Sequence, residues 1–208
     1  MEDKIDNIET TEKNVKPSSK TTLIKEVFDT FEMFIISACA VLILFSVATR
    51  ICRVDGGSML NTLHNNEVLL VSDMFYSPTR GDIIVFHQTG DQPSDLNEPI
   101  VKRVIATEGE WIDIKHLNGK LQVTVYDDNF KNPTVLDEYY ACYDEGVGYY
   151  KYDNYPIQVP KGCSFVMGDN RGNSLDSRSP SISFVDNRRI LGKVFLRLLP
   201  FEKLGTVQ

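Results

Sequence analysis

Arg80-Gly81-Asp82-Ile83-Ile84-Val85-Phe86 and, beyond a polar loop, Ile100-Val101-Lys102-Arg103-Val104-Ile105-Ala106 read as two β-strands. Gly81-Asp82 marks a turn into the first. The loop from Gln88 to Pro99, holding Pro93, Asn97 and Pro99, separates them. Short β-branched runs bounded by Gly, Pro, Asn and Asp are the mark of strands. Similar runs lie outward on both sides, at 67–71, 111–114, 121–125, 163–167 and 194–198, with an Asn118-Gly119 hairpin turn between the runs at 111–114 and 121–125. A short helix is expected over 182–189. The pattern predicts a mostly β domain.

The second strand holds a charge where an aliphatic residue would fit. Strand alternation sends Lys102 to the face of Ile100 and Val104, and Arg103 to the face of Val101 and Ile105. Complete burial of an ammonium lowers its pKa by up to about 3–5 units, which yields a neutral amine near physiological pH. The alternative is a lysine that snorkels from an edge strand. Upstream lies Asp55-Gly56-Gly57-Ser58-Met59. A serine in a glycine-rich loop is often only a turn residue, but a desolvated lysine can activate it as a nucleophile. Downstream, Gly168-Asp169-Asn170-Arg171 continues into Gly172-Asn173-Ser174-Leu175-Asp176-Ser177-Arg178. A hydroxyl such as Ser174 can orient a buried amine without adding charge. A carboxylate beside the amine would raise its pKa, so Asp169 and Asp176 are expected to pair with arginines.

Before Ser58 runs an uncharged segment, residues 33–49, whose 17 residues reach the low end of the roughly 17–25 needed to span a bilayer. Val27, Phe28 and Phe31 extend it, so a transmembrane anchor is expected over 27–49. A cleaved secretory signal would have a shorter apolar core, and a buried core helix a polar face. Lys13, Lys16, Lys20 and Lys25 precede the run while Arg50 and Arg53 follow it. That bias predicts a cytoplasmic N-terminus and residues 50–208 outside the cell. Residues 1–26 are polar, without a packing pattern, and are expected to be a mobile tail. Eight residues from Arg50 to Ser58 hold the hydroxyl within roughly 25–30 Å of the membrane edge.

Several classes are excluded. A net charge of −7 with no basic stripe argues against nucleic-acid binding. His64, His87 and His116 lack ligand spacing, and no Cys-x-x-Cys occurs, so no metal is expected. Cys142 and Cys163 either pair as a disulfide or stay as thiols; sequence leaves both open. Neither has the His and Arg context of a cysteine transpeptidase. The stretch 126–160 carries eight of the nine tyrosines and reads as an insertion, packing on itself or presenting a contact surface.

Taken in order, Ser58-Met59-x-x-Thr62-Leu63, the 80–86 run, Val101-Lys102-Arg103-Val104-Ile105, Gly168-Asp169-Asn170-Arg171 with Asn173-Ser174-x-Asp176-Ser177-Arg178, and the tail 190–201 resemble the type I signal peptidases. The resemblance covers about residues 27–205, least well over 126–160. It implies a membrane-bound serine endopeptidase that removes signal peptides from exported preproteins. The implied fold is a single transmembrane helix followed by a two-part antiparallel β catalytic domain. Ser58 is implied as nucleophile and Lys102 as general base, with Ser174 hydrogen-bonded to the lysine. Asp176, Arg178 and Arg103, the last through Asp169, are implied as supports. The substrates implied carry small side chains, of the Ala-x-Ala type, and would add as a β-strand. No cofactor is implied, and a monomer is expected. The sequence departs from the pattern at Asn61, where the family usually has proline, so the Ser58 loop lacks the ring that would fix φ there and is expected to be looser. Gly56 stands where some members carry an oxyanion-binding serine, so the Ser58 N–H becomes the expected donor. A soluble Ser-Lys protease is the nearest rival and lacks the anchor. A decayed, non-catalytic β scaffold is the other, and it would not be labelled by a serine-reactive inhibitor.

Overall fold

The computed structural model describes residues 19–87, 99–143 and 154–207. Most of the expected tail, the loop at 88–98, and Tyr149, Tyr150 and Tyr152 lie outside them. The chain divides into two compact units at residues 45 and 46.

The first unit is helical. Helix α1 (Ser19–Ala48) has 30 residues and starts earlier than the apolar run. Phe28, Phe34, Leu42 and Phe45 on it are exposed. Among the described residues no helix is long and apolar enough to cross a membrane. The side chains of Leu44 and Val47, inside the uncharged run, are not among those described.

The second unit is built of antiparallel strands in two sheets. They are β1 (Thr49–Arg53), β2 (Val68–Ser72), β3 (Ile83–His87), β4 (Pro99–Thr107), β5 (Trp111–Leu117), β6 (Lys120–Tyr126), β7 (Thr134–Val135), β8 (Ile157–Gln158), β9 (Cys163–Met167), β10 (Val185–Asp186) and β11 (Ile190–Leu199). The larger sheet has the order β1-β2-β11-β3-β4-β9-β10 and the smaller β7-β6-β5-β8.

Strand β3 is buried on both faces, which is why it reads as a continuous apolar run rather than an alternating one. Ile83 and Val85 enter one core layer with Val54, Met59, Leu63 and Leu69. Ile84 and Phe86 enter another with Val104, Val166 and Val185. A third layer joins the sheets, packing Ile112, Ile114, Val123 and Val125 against Ile105, Phe165 and Met167.

Three local expectations change. Thr49 begins β1 instead of ending the helix, because residues 49–53 pair along their length with β2. In place of a helix over 182–189, Val185 and Asp186 pair with Ser164 and Cys163, and only Asn187–Arg189 turns as a 3₁₀ helix. Asp186 caps that turn by accepting from the Arg188 N–H. The tyrosine-rich stretch supplies β7 and β8, the outer strands of the small sheet, and Tyr143 and Tyr155 pack on its core.

Candidate active site

Ser58 sits on a turn whose neighbours are anchored in the core. Met59 and Leu63 are buried in the layer beneath β3, and the Leu63 N–H donates to the Met59 carbonyl at 2.8 Å. Burying each such side chain is worth about 1.5–3 kcal/mol, so the motif spacing pins the turn from below. Gly56, at φ +86°, takes a conformation that side chains resist, and its N–H donates to Asn65 Oδ1. The Ser58 carbonyl accepts from the Asn170 N–H at 3.0 Å, and Asn170 Nδ2 donates to the Gly57 carbonyl. Gly168 is required by contact: a Cβ there would lie 2.5 Å from the Ser58 carbonyl oxygen and 2.1 Å from Ser174 Oγ.

Lys102 stands mid-strand in β4, opposite Ile84 of β3. Only 3% of it is exposed. Its Nζ hydrogen-bonds Ser58 Oγ at 2.8 Å and donates to the Val101 carbonyl at 2.8 Å. Burial pulls the amine down to about 8, against the upward pull of Asp176 and Asp169. Arg178 opposes that upward pull, and both acids are paired with arginines. Arg103 Nε and Nη2 grip Asp169 at 2.8 and 2.7 Å, and Arg103 Nη1 donates to the Gly81 carbonyl. Arg178 Nε and Nη2 grip Asp176, each at 2.8 Å. Burial pushes the Asp176 carboxyl up, but Arg178 and the Gly168 N–H outweigh it and hold it below the usual range. The site therefore holds a hydroxyl in contact with an amine poised to lose its proton near neutral pH.

Ser58, Lys102, Arg103, Asp169, Asp176 and Arg178, singled out by sequence, converge here, and the lysine's hydrogen bonds go to Ser58 and Val101. Ser174 is buried against the same frame, its Oγ beside Gly168 and the Asp176 carboxylate. Cys142 and Cys163 form no disulfide, and Cys142 Sγ donates to the Leu60 carbonyl at 3.0 Å. No cluster suited to a metal occurs among the described residues.

Beside Ser58 and Lys102 opens a groove of about 560 Å³, lined by Cys52, Val54, Met59, Val85 and Val101 among others. The profile of the family described as "Signal peptidase, peptidase S26" matches residues 27–199. The chain belongs to this signal peptidase family.

Within it, the chain is 35% identical over 161 residues to the signal peptidase I of Bacillus caldolyticus, covering 73% of this chain and 80% of that one. It is 31% identical over 202 residues to that of Bacillus amyloliquefaciens, covering 94% of each. It is 35% identical over 154 residues to that of Leptolyngbya laminosa, covering 71% and 68%. It is a serine peptidase of the type I signal peptidases, which removes signal peptides from exported preproteins.

Several residues of this signal peptidase site escape a sequence reading. Thr62 donates its hydroxyl to Asp169 Oδ2 at 2.5 Å, and Arg197 of β11 ties the Thr62 carbonyl to Glu67. Glu138 and Tyr140 come from the tyrosine-rich stretch. The only sequence hint for Thr62 is its place in the Ser58 motif. Arg197, Glu138 and Tyr140 arrive through tertiary structure.

Proposed function

We propose that the enzyme works through a Ser58–Lys102 dyad, tethered by α1 to the membrane with its catalytic domain outside the cell. The observation that carries the dyad is the 2.8 Å contact between Lys102 Nζ and Ser58 Oγ, made by a buried lysine that forms no ion pair among the described residues. The uncharged run within α1, its exposed apolar side chains, and the basic residues ahead of it support the tether.

The cleavage segment of a preprotein enters the groove as an added strand. β9 pairs with β4 from Arg103 onward, whereas Pro99–Lys102 pair with β3 alone among the described strands. An unpaired edge is a template for a further strand. Neutral Lys102 takes the Ser58 proton, and Oγ bonds to the scissile carbonyl carbon. The Ser58 N–H donates to the developing oxyanion, its orientation held by the neighbouring Asn170 contacts. The C–N bond then breaks, and Lys102 returns the proton to the leaving amine of the mature protein. Water, deprotonated by the same lysine, cleaves the acyl ester and frees the signal peptide. Asp176–Arg178 and Asp169–Arg103 hold the frame. The aliphatic part of the lining, Val54, Met59, Val85 and Val101, suits apolar side chains, with small ones of the Ala-x-Ala type as the substrate.

Purified Ser58→Ala and Lys102→Ala, incubated with an Ala-x-Ala preprotein, are expected to keep the fold and yield no product. Undiminished cleavage by either variant ends the dyad reading.

A further inference from the structure

The tyrosine-rich stretch reaches into the active-site frame. Glu138 accepts from both Nη atoms of Arg171, each at 2.7 Å. The Arg171 side chain is fully buried, and its Nε donates to the Gly168 carbonyl at 3.0 Å. The Tyr140 ring lies 4.0 Å from the Arg103 guanidinium carbon and 5.8 Å from that of Arg171. The backbone of Cys142 brackets the same loop. Its N–H donates to the Asp169 carbonyl and its carbonyl accepts from the Arg171 N–H, both at 2.8 Å. Its thiol donates to Leu60, two residues past Ser58.

These contacts meet the two segments that set the dyad. One is the 168–171 loop, which holds the Ser58 and Gly57 carbonyls through Asn170. The other is Arg103, next to Lys102 in β4 and paired with Asp169. We infer that Glu138, Tyr140 and Cys142 are positioning residues for the reaction, a clamp that fixes the distance between the Ser58 hydroxyl and the Lys102 amine. None of them lines the groove. Their effect is therefore on the chemical step and not on substrate capture. The ring matters in the clamp for its face, which attracts the arginine, and its hydroxyl is secondary.

This inference rests on the dyad reading, so the experiment begins there. Wild type and Ser58→Ala are compared first on a preprotein; cleavage by Ser58→Ala sinks the dyad, whatever the clamp does. With the dyad standing, Tyr140→Leu is expected to lower kcat about tenfold with KM within twofold. Tyr140→Phe is expected to restore most of the loss. The rising limb of the kcat profile should move to higher pH in Tyr140→Leu, because Arg103 loosens from Asp169 and the exposed carboxylate raises Lys102. Glu138→Gln, nearly isosteric, serves should Tyr140→Leu fail to fold, and is expected to lower kcat about fivefold. Unchanged kcat in the folded variants overturns the clamp. So does a rise confined to KM, or an equal loss in Tyr140→Phe and Tyr140→Leu.

Discussion

Lys102 and Lys193 stand in one row of the large sheet, on either side of Ile84. Lys193, with a side chain 44% exposed, lies 2.6 Å from the Asp82 carboxylate. Lys102, 3% exposed, meets a hydroxyl and a carbonyl. The same residue type in neighbouring strands is a surface ion-pair partner in one place and a depressed amine in the other. Burial alone does not separate them, since the buried acids Asp169 and Asp176 lie close enough to raise Lys102. What separates them is burial first, and then that each of those acids is held by its own arginine.

The largest test of that contrast is deletion. Lys102→Ala should reduce preprotein cleavage to background, a loss of at least about 10²–10⁴-fold, measured by single-turnover assay. Retained cleavage would leave no distinction between the two lysines.

Next is the arginine shield. Arg103→Gln leaves Asp169 buried with a single uncharged substitute at that position. Breaking a buried pair in this way costs about 3–5 kcal/mol, read as a lower denaturant midpoint. The surviving enzyme should also need a higher pH, because the unshielded carboxylate favours the charged amine. A variant with unaltered stability and an unaltered pH profile would show the shield to be idle.

The third test is titration. With Lys102 near 8, log kcat/KM should rise with unit slope below about pH 8 and level off above it. Stability carries the opposite face of the same shift. The folded pKa lies below the unfolded value of 10.5, so between about 8 and 10.5 the unfolded chain binds more protons and stability rises with pH. Below 8 the amine is charged in both states, and its burial is a standing cost. Lys102→Met removes that term. Its stability advantage over wild type should therefore be largest below pH 8 and shrink toward 10.5, as seen in urea titrations at several pH values.

Much of this contrast was legible before any coordinates. Period-two alternation puts Lys102 with Ile100 and Val104, and turn residues punctuate the strands, so a mostly β architecture follows from local pattern. The need to keep carboxylates off a basic amine points Asp169 and Asp176 toward arginines. Partner choice comes from the family resemblance and not from local pattern. Asp169 neighbours Arg171 in sequence yet pairs with Arg103, because β4 and β9 are adjacent and Arg171 is taken by Glu138. Strand β1 escaped because Thr49-Arg50-Ile51-Cys52-Arg53 has weak alternation and abuts the apolar run; its state is set by pairing with β2. Tyr140 could not be read at all, since its arginines lie far along the chain in two different elements.

The smallest effect is expected at the other lysine. Lys193→Ala removes a half-exposed partner from Asp82, worth about 0.2–1 kcal/mol after solvent screening. Asp82 keeps the Tyr76 hydroxyl at 2.8 Å, the Thr79 hydroxyl at 2.7 Å and the Thr79 N–H at 3.1 Å, so its carboxylate stays satisfied. Cleavage should fall less than twofold and the pH profile should not move. Asp82→Asn sharpens the comparison from the other side. It takes the carboxylate from Lys193 without burying the amine, so Lys193 should gain no reactivity toward an amine-selective acylating reagent at pH 8. If it did become as reactive as Lys102, the carboxylate alone would account for the difference between the two, and desolvation would have no part in making the base.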